Sequence, residues 1–93
     1  MRFEWDNQKA ASNVAKHGVS FDEAETVFAD PFAGVAPDPA HSVGEQREII
    51  AGLSVQGRLL LVSFVERRGS IRIISARILT PSERRLYEEE EFP

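Results

Sequence analysis

The stretch Ile71-Arg72-Ile73-Ile74-Ser75-Ala76-Arg77 decides the fold, because it predicts a buried central strand that carries two arginines. An arginine is rarely fully buried without a partner, since its charge cannot be removed by losing a proton. Strict alternation of side chains puts Arg72 and Arg77 on opposite faces of the strand. Arg77 then shares its face with Ile71 and Ile73. Two interpretations stay open: either the arginines form structural ion pairs, or one of them lies in a cleft that receives an anion.

Length and composition limit the classes of protein that the chain can belong to. At 93 residues it fits one domain over residues 1–93, and 42% hydrophobic residues is typical of a globular fold. The lack of cysteine excludes a disulfide framework and a thiolate metal site. No run approaches the roughly 18 apolar residues of a membrane span, and the start Met1-Arg2-Phe3-Glu4 is unlike a signal peptide. We therefore expect a cytoplasmic protein without membrane contact.

Charge is distributed in blocks along the chain. Residues 1–46 hold three basic and eight acidic residues, whereas residues 47–87 hold eight arginines and three glutamates, and Glu88 to Glu91 follow. The guanidinium fork matches phosphate geometry, so this block favours phosphate recognition even though the net charge is −4. The alternative is that the arginines are solvated charges at strand edges.

Capping residues predict helices in the first third of the chain. Asp6 or Asn7 can cap a helix that runs to His17, and Gly18 suits the left-handed position that ends it. A Ser/Glu capping box and a closing proline predict a second helix within residues 20–31.

Alternating and β-branched runs predict the sheet. Thr80 to Glu83 is another capping box, with proline at the first helical position, and it predicts a short last helix. The predicted class is α+β: two N-terminal helices packed on a mostly antiparallel four- or five-stranded sheet, with a short C-terminal helix. The predicted strands lie at residues 3–5, near Val35, and at residues 46–55, 58–66 and 71–79.

Short motifs with a distinctive spacing are spread along nearly the whole chain. They are Trp5-Asp6, Lys9, Asn13, Lys16-His17-Gly18-Val19-Ser20-Phe21, Glu23-Ala24, Val27-Phe28, Asp30-Pro31, His41-Ser42, Glu45, Arg47, Gly52, Gly57-Arg58, Arg72-Ile73-Ile74-Ser75-Ala76-Arg77, Glu83-Arg84 and Tyr87. Together they resemble the BrnT family, toxins of bacterial type II toxin–antitoxin systems. The resemblance implies a RelE/ParE-like fold and a ribonuclease that halts translation. It also implies a ribbon–helix–helix antitoxin, BrnA, that neutralises the toxin, and a complex of the two that represses its own promoter DNA.

If the chain cleaves RNA, as the resemblance implies, its residue types favour a reaction without a metal or other cofactor. Histidines and carboxylates are not clustered at metal-ligand spacing. A metal-independent reaction needs a base for the ribose 2′-hydroxyl, cations for the phosphorane and an acid for the 5′-oxygen. The expected catalytic residues are His41, Glu45, Arg47 and Arg77, and weaker candidates for substrate binding are Lys16, His17, Arg72 and Tyr87.

Each of these assignments has a plain structural alternative. His17 could cap the first helix, His41 could be an exposed loop residue, and Glu45 with Arg47 could be a surface ion pair. The function has alternatives as well, because one fold can carry several activities. A gyrase poison acts by binding on the same fold, and an inactive chain could serve with its antitoxin as a co-repressor.

Overall fold

The computed structural model describes residues 1–38 and 46–89, and it is an α+β fold with a five-stranded mixed sheet. Within these ranges the helices are α1 (Asn7–His17), α2 (Phe21–Thr26) and α3 (Pro81–Glu88), and a 3₁₀ turn (Val27–Ala29) continues α2. The strands are β1 (Arg2–Glu4), β2 (Gly34–Pro37), β3 (Glu48–Leu53), β4 (Leu59–Arg67) and β5 (Ser70–Ile78).

The strand order in the sheet is β1-β5-β4-β3-β2. Strands β2 to β5 pair with their sequence neighbours in the antiparallel sense, whereas β1 pairs in parallel with β5. The sheet is therefore mixed: the parallel β1–β5 pair corrects the prediction of a mostly antiparallel sheet at this one pairing, whereas the other three pairs agree with it. The parallel pair is possible because α1 and α2 follow β1 and return the chain to the sheet without a hairpin. Alternation over three residues carries no information about strand direction.

Helix α1 begins and ends where its capping residues predict. The carboxylate of Asp6 accepts from the amides of Gln8 and Lys9 at 2.8 and 3.0 Å, and Gly18 has a φ of 67°. Helices α1 and α2 pack on one face of the sheet over a core formed by both layers. The buried apolar residues of this core are Val19, Phe21, Ala24, Val27, Ile50, Leu60, Val62, Phe64, Ile71, Ile73 and Ala76.

The Ser20/Glu23 capping box is only half formed. The Ser20 hydroxyl accepts from the amide of Glu23 at 3.0 Å, but the Glu23 carboxylate accepts from Arg58 and from Ser54 instead. Glu23 is 3% exposed. Because a buried carboxylate is costly without a charged partner, pairing with Arg58 stabilises Glu23 more than a hydrogen bond to the helix N-terminus would. The Arg58 guanidinium holds the pKa of Glu23 below its ordinary value.

Asn13 joins α1 to β5 through hydrogen bonds to the backbone of Ala76. Its side-chain amide donates to the Ala76 carbonyl at 2.8 Å and accepts from the Ala76 amide at 3.1 Å. The pairing with β1 ends at Arg72, so beyond that residue no described strand covers this edge of β5. The amide of Asn13 therefore supplies the donor and acceptor that a neighbouring strand would supply.

A bulge in β5 changes which residues face the core. Ser63 of β4 pairs with Ser75 and Phe64 pairs with Ile73, so Ile74 is an extra residue on β5. Beyond this residue the alternation is shifted by one position, and Arg77 leaves the core face that Ile71 and Ile73 occupy. The prediction that Arg77 shares a face with those isoleucines is therefore wrong, because strict alternation does not allow for an inserted residue.

Candidate active site

A cavity of about 450 Å³ opens on the face of the sheet opposite to α1 and α2. Its floor consists of apolar and hydroxyl side chains from three strands, and charged side chains stand around that floor. Among the described residues the lining is formed by Asp38, Arg47, Ile49, Leu61, Ser63, Ile74, Ser75, Arg77 and Glu83. The structure therefore brings together two of the predicted catalytic residues, Arg47 and Arg77, and adds Asp38 and Glu83, which sequence reasoning did not assign to the site.

Arg77 reaches the cavity because of the β5 bulge, and a carboxylate from α3 holds it there. Its Nη1 donates to Glu83 Oε1 at 2.8 Å, and its Nη2 donates to Glu83 Oε2 at 2.9 Å. Nη1 also donates to the carbonyl of Ile78 at 3.2 Å. Because a guanidinium has five N–H donors, Nε–H and one N–H of Nη2 have no acceptor among the described residues. These two donors point the same way and form a second fork that can bind an anion.

Glu83 has two roles in the fold. Its Oε1 also accepts from the amide of Thr80 at 2.9 Å, which completes the capping box at the start of α3. The hydrogen bonds from Arg77 lower the pKa of Glu83 to about 2, so its carboxylate is ionised at neutral pH. The sequence predicted the cap, but its contact with Arg77 depends on how α3 returns to the sheet, and no local pattern records that.

Arg47 precedes β3 on the other side of β4 from Arg77. Its carbonyl accepts from the amide of Asp38 at 2.9 Å, so the backbone at this point is fixed by pairing with the residue after β2. The guanidinium is half-buried and makes no hydrogen bond or ion pair to any residue in the described part of the chain. Arg47 therefore brings a positive charge to the cavity that no residue in the described ranges holds in an ion pair.

His41 and Glu45 lie outside the described residues, and their predicted roles stay predictions. The described chain stops at Asp38 and resumes at Gln46. Within residues 1–38 and 46–89 no group of three histidine, cysteine or acidic residues could hold a metal ion.

The weaker candidates do not line the cavity. Lys16 and His17 are exposed in the last turn of α1, on the helical side of the sheet. Arg72 donates to Glu4 of the neighbouring strand β1 at 2.9 Å, which fits the structural ion pair considered from the sequence. The positions of Lys16, His17 and Arg72 therefore do not support a role for them in the cavity that Arg47 and Arg77 line.

Tyr87 anchors α3 to the turn that follows α2. Its hydroxyl donates to Asp30 Oδ2 at 2.6 Å, and the same oxygen accepts from the amide of Leu53 at 2.7 Å. Burial, together with the hydrogen bond to Asp30, raises the pKa of Tyr87 to about 12. Burial acts to raise the pKa of Asp30, but the hydrogen bonds from Tyr87 and from backbone amides outweigh it and leave that pKa lowered. With its hydroxyl committed in this way, Tyr87 supports the position of α3.

Two comparisons with known proteins, one with a family model and one with a solved structure, identify the same family. A family model described as "Ribonuclease toxin, BrnT, of type II toxin-antitoxin system" matches residues 5–83. The crystal structure of the Brucella abortus ribonuclease toxin BrnT, at 1.1 Å resolution, is similar with a TM-score of 0.68 and 26% sequence identity. That similarity covers 86% of this chain and 97% of the Brucella chain. No curated protein matches the chain.

The fold and the matched length define the class as a toxin of a type II toxin–antitoxin system. Within that class, the chain belongs to the BrnT family of ribonuclease toxins. None of the helices within the described ranges is long and apolar enough to cross a membrane.

Proposed function

We propose that this chain is an endoribonuclease that cleaves RNA without a metal ion, at the cavity between Arg47 and Arg77. The observation that carries the proposal is that two guanidinium groups line one open cavity, and that one of them has a fork of two N–H donors with no acceptor among residues 1–38 and 46–89. Such forks bind a phosphate through two parallel hydrogen bonds.

In the proposed reaction the ribose 2′-oxygen attacks the adjacent phosphorus, and the bond from phosphorus to the 5′-oxygen breaks. A base takes the proton of the 2′-hydroxyl, and an acid gives a proton to the departing 5′-oxygen. The products are a 2′,3′-cyclic phosphate and a 5′-hydroxyl, so no water is consumed. Arg47 and Arg77 would stabilise the extra negative charge on the phosphorane oxygens. The base and the acid are assigned to His41 and Glu45 as hypotheses, and Asp38 is an additional carboxylate of the cavity.

Family membership implies an antitoxin partner, because a toxin of a type II system is encoded with an antitoxin that neutralises it. We propose that this antitoxin is BrnA-like, with a ribbon–helix–helix DNA-binding part, and that the complex represses its own promoter. Cleavage of RNA by the free toxin would inhibit translation in the cytoplasm. We also propose that the fold is related to that of the RelE and ParE toxins. The antitoxin would cover the cavity, together with β5 and the start of β3 beside Arg47, so that association slows as salt rises.

The test is incubation of the purified chain with RNA in excess EDTA, with and without added magnesium. We expect cleavage in both conditions, with 5′ ends that polynucleotide kinase phosphorylates directly and 3′ ends that carry cyclic phosphate. Cleavage that stops in EDTA and returns with magnesium would overturn the metal-independent mechanism. A parallel reaction with gyrase and supercoiled DNA separates the ribonuclease from a gyrase poison on the same fold, and the Arg77→Ala variant controls for contaminating nucleases.

A further inference from the structure

Glu83 holds Arg77 with more contacts than its role as a helix cap requires. The cap of α3 uses Glu83 Oε1, which accepts from the Thr80 amide at 2.9 Å. The second oxygen, Oε2, accepts from Arg77 Nη2 at 2.9 Å and from no other described donor. Two parallel bonds to a planar guanidinium fix the orientation of its plane as well as its position. A single bond would leave the plane free to rotate.

The contact also determines which edge of Arg77 is open. Glu83 occupies the end of the guanidinium formed by Nη1 and Nη2, and the Ile78 carbonyl takes the remaining N–H of Nη1. The edge formed by Nε–H and the outer N–H of Nη2 has no acceptor in the part of the chain that the structure describes. Arg77 is 38% exposed and lines the cavity, so this edge is accessible to a ligand there.

We propose that Glu83 is a positioning residue for RNA cleavage, and that it acts through Arg77 by aiming the Nε–Nη2 edge at the scissile phosphate. The inference rests on the proposed function and deepens it, since it assigns a role to a residue of α3 that does not itself touch the phosphate. An arginine side chain has four rotatable bonds, and without the carboxylate it would sample several orientations at the moment of reaction. Orientation of this kind contributes to the rate of the chemical step.

A role for Glu83 as the general base fits the geometry less well. Both of its oxygens already accept hydrogen bonds from Arg77, and Oε1 accepts a third from Thr80. The adjacent cation also makes the carboxylate a poor proton acceptor at neutral pH, in line with its lowered pKa.

The test compares RNA cleavage by Glu83→Gln, Arg77→Ala and the double variant under single-turnover conditions. Glutamine keeps the size of the side chain but offers one acceptor oxygen where the carboxylate offers two. We expect Glu83→Gln to lower the cleavage rate about 10- to 100-fold, as loss of an orienting partner does at other sites, with little change in RNA affinity. If Glu83 acts through Arg77, the double variant cleaves at the rate of Arg77→Ala alone.

Thr80→Ala is the matched control for the helix cap. The Thr80 hydroxyl accepts from the Glu83 amide at 3.2 Å, so its removal weakens the same cap without touching Arg77. We expect Thr80→Ala to lower the melting temperature while leaving the cleavage rate of the folded protein unchanged. Glu83→Asp, which keeps both oxygens on a shorter side chain, should recover part of the rate.

The outcomes separate this inference from the proposed function. If the unmodified chain does not cleave RNA, the proposed function fails and the positioning role fails with it. If the unmodified chain cleaves and Glu83→Gln cleaves equally fast or faster, the positioning role alone is overturned. Losses that multiply in the double variant would show that Glu83 acts independently of Arg77, and an equal loss in Thr80→Ala would show that it acts through the helix cap.

Discussion

Arg47 and Arg77 lie on either side of β4 and line the same cavity, and within the described residues only Arg77 is held by a carboxylate. The two arginines therefore differ in what they contribute to the folded state, although both face the proposed phosphate site. Arg77 is part of an ion pair that connects the sheet to α3. The Arg47 guanidinium contributes charge to the cavity and forms no hydrogen bond or ion pair with the described residues.

Replacing Arg47 by alanine should separate function from stability. We expect the free energy of unfolding to stay within about 0.5 kcal/mol, because no described partner loses a bond. RNA cleavage should fall about 100-fold or more, since a cation next to the phosphorane is lost. Urea denaturation and a cleavage assay on the same preparation check both expectations. A marked loss of stability would indicate that Arg47 holds the fold and would remove it from the catalytic group.

Replacing Arg77 by lysine should impair cleavage almost as much as replacing it by alanine. Lysine can form an ion pair with Glu83, but it cannot hold both carboxylate oxygens and still present a second fork. Each variant should lose about 2.7–4 kcal/mol of transition-state stabilisation, which is the cost of losing one oxyanion donor. The control is Arg72→Lys, because Arg72 pairs with Glu4 and does not line the cavity. A folded Arg77→Lys variant that cleaves normally would make Arg77 a structural residue.

The Arg77–Glu83 pair should make stability depend on acidity in a defined range. The pKa of Glu83 is lowered from 4.5 to about 2, so its contribution is fully present above pH 4.5 and is lost as the pH falls to about 2. Both side chains are partly exposed, so we expect only about 1–2 kcal/mol from this pair. Unfolding free energies of the unmodified chain and of Arg77→Ala, measured from pH 7 to pH 2, should converge across this range. A constant difference between the two would contradict the assignment.

Replacing Tyr87 by phenylalanine should affect stability and leave catalysis alone. The variant loses the hydrogen bond from the hydroxyl to Asp30, which should cost about 1–2 kcal/mol because the acceptor is charged. Thermal melts measure this loss, and cleavage is compared at a temperature where both proteins are folded. Lower RNA affinity in the folded variant would instead return Tyr87 to the substrate-binding candidates.

Replacing Glu88 to Glu91 by glutamine should strengthen RNA binding without unfolding the protein. Among the described residues of this segment, Glu88 forms an exposed pair with Arg84 at 3.5 Å, which contributes a few tenths of a kcal/mol at most. Removing four like charges should raise RNA affinity at low salt, and the gain should shrink at high salt. Affinity that is unchanged at low salt would show that the segment has no influence on the site.

Local signals in the sequence were sufficient for much of the fold. Asp6 and Gly18 mark the ends of α1, and the Thr80/Glu83 box marks the start of α3, because caps depend on residues a few positions apart. The role of Asn13 was not predicted, because its partner Ala76 is distant in the sequence.

The site was predictable in its charges but not in its arrangement. An arginine in an apolar strand indicates the need for a partner, and this identifies Arg77, whereas Arg47 is predicted from the arginine-rich block of residues 47–87. Glu83 was recognised only as a cap, since its contact with Arg77 depends on the path of the chain between β5 and α3. Glu23 behaves similarly, because burial rather than local spacing selects Arg58 as its partner.

Because Ile74 is an extra residue in β5, the folded state depends on the number of residues in this strand as well as on their side chains. Exchanging Ile74 for another side chain keeps the count, whereas deleting one residue between Ile73 and Ala76 would return Arg77 to the hydrophobic layer. There its charge would lack both Glu83 and solvent, and α3 would lose its tie to the sheet. Single-codon deletions in this segment should therefore abolish folding and toxicity together, while conservative point changes at the same codon should leave the fold intact.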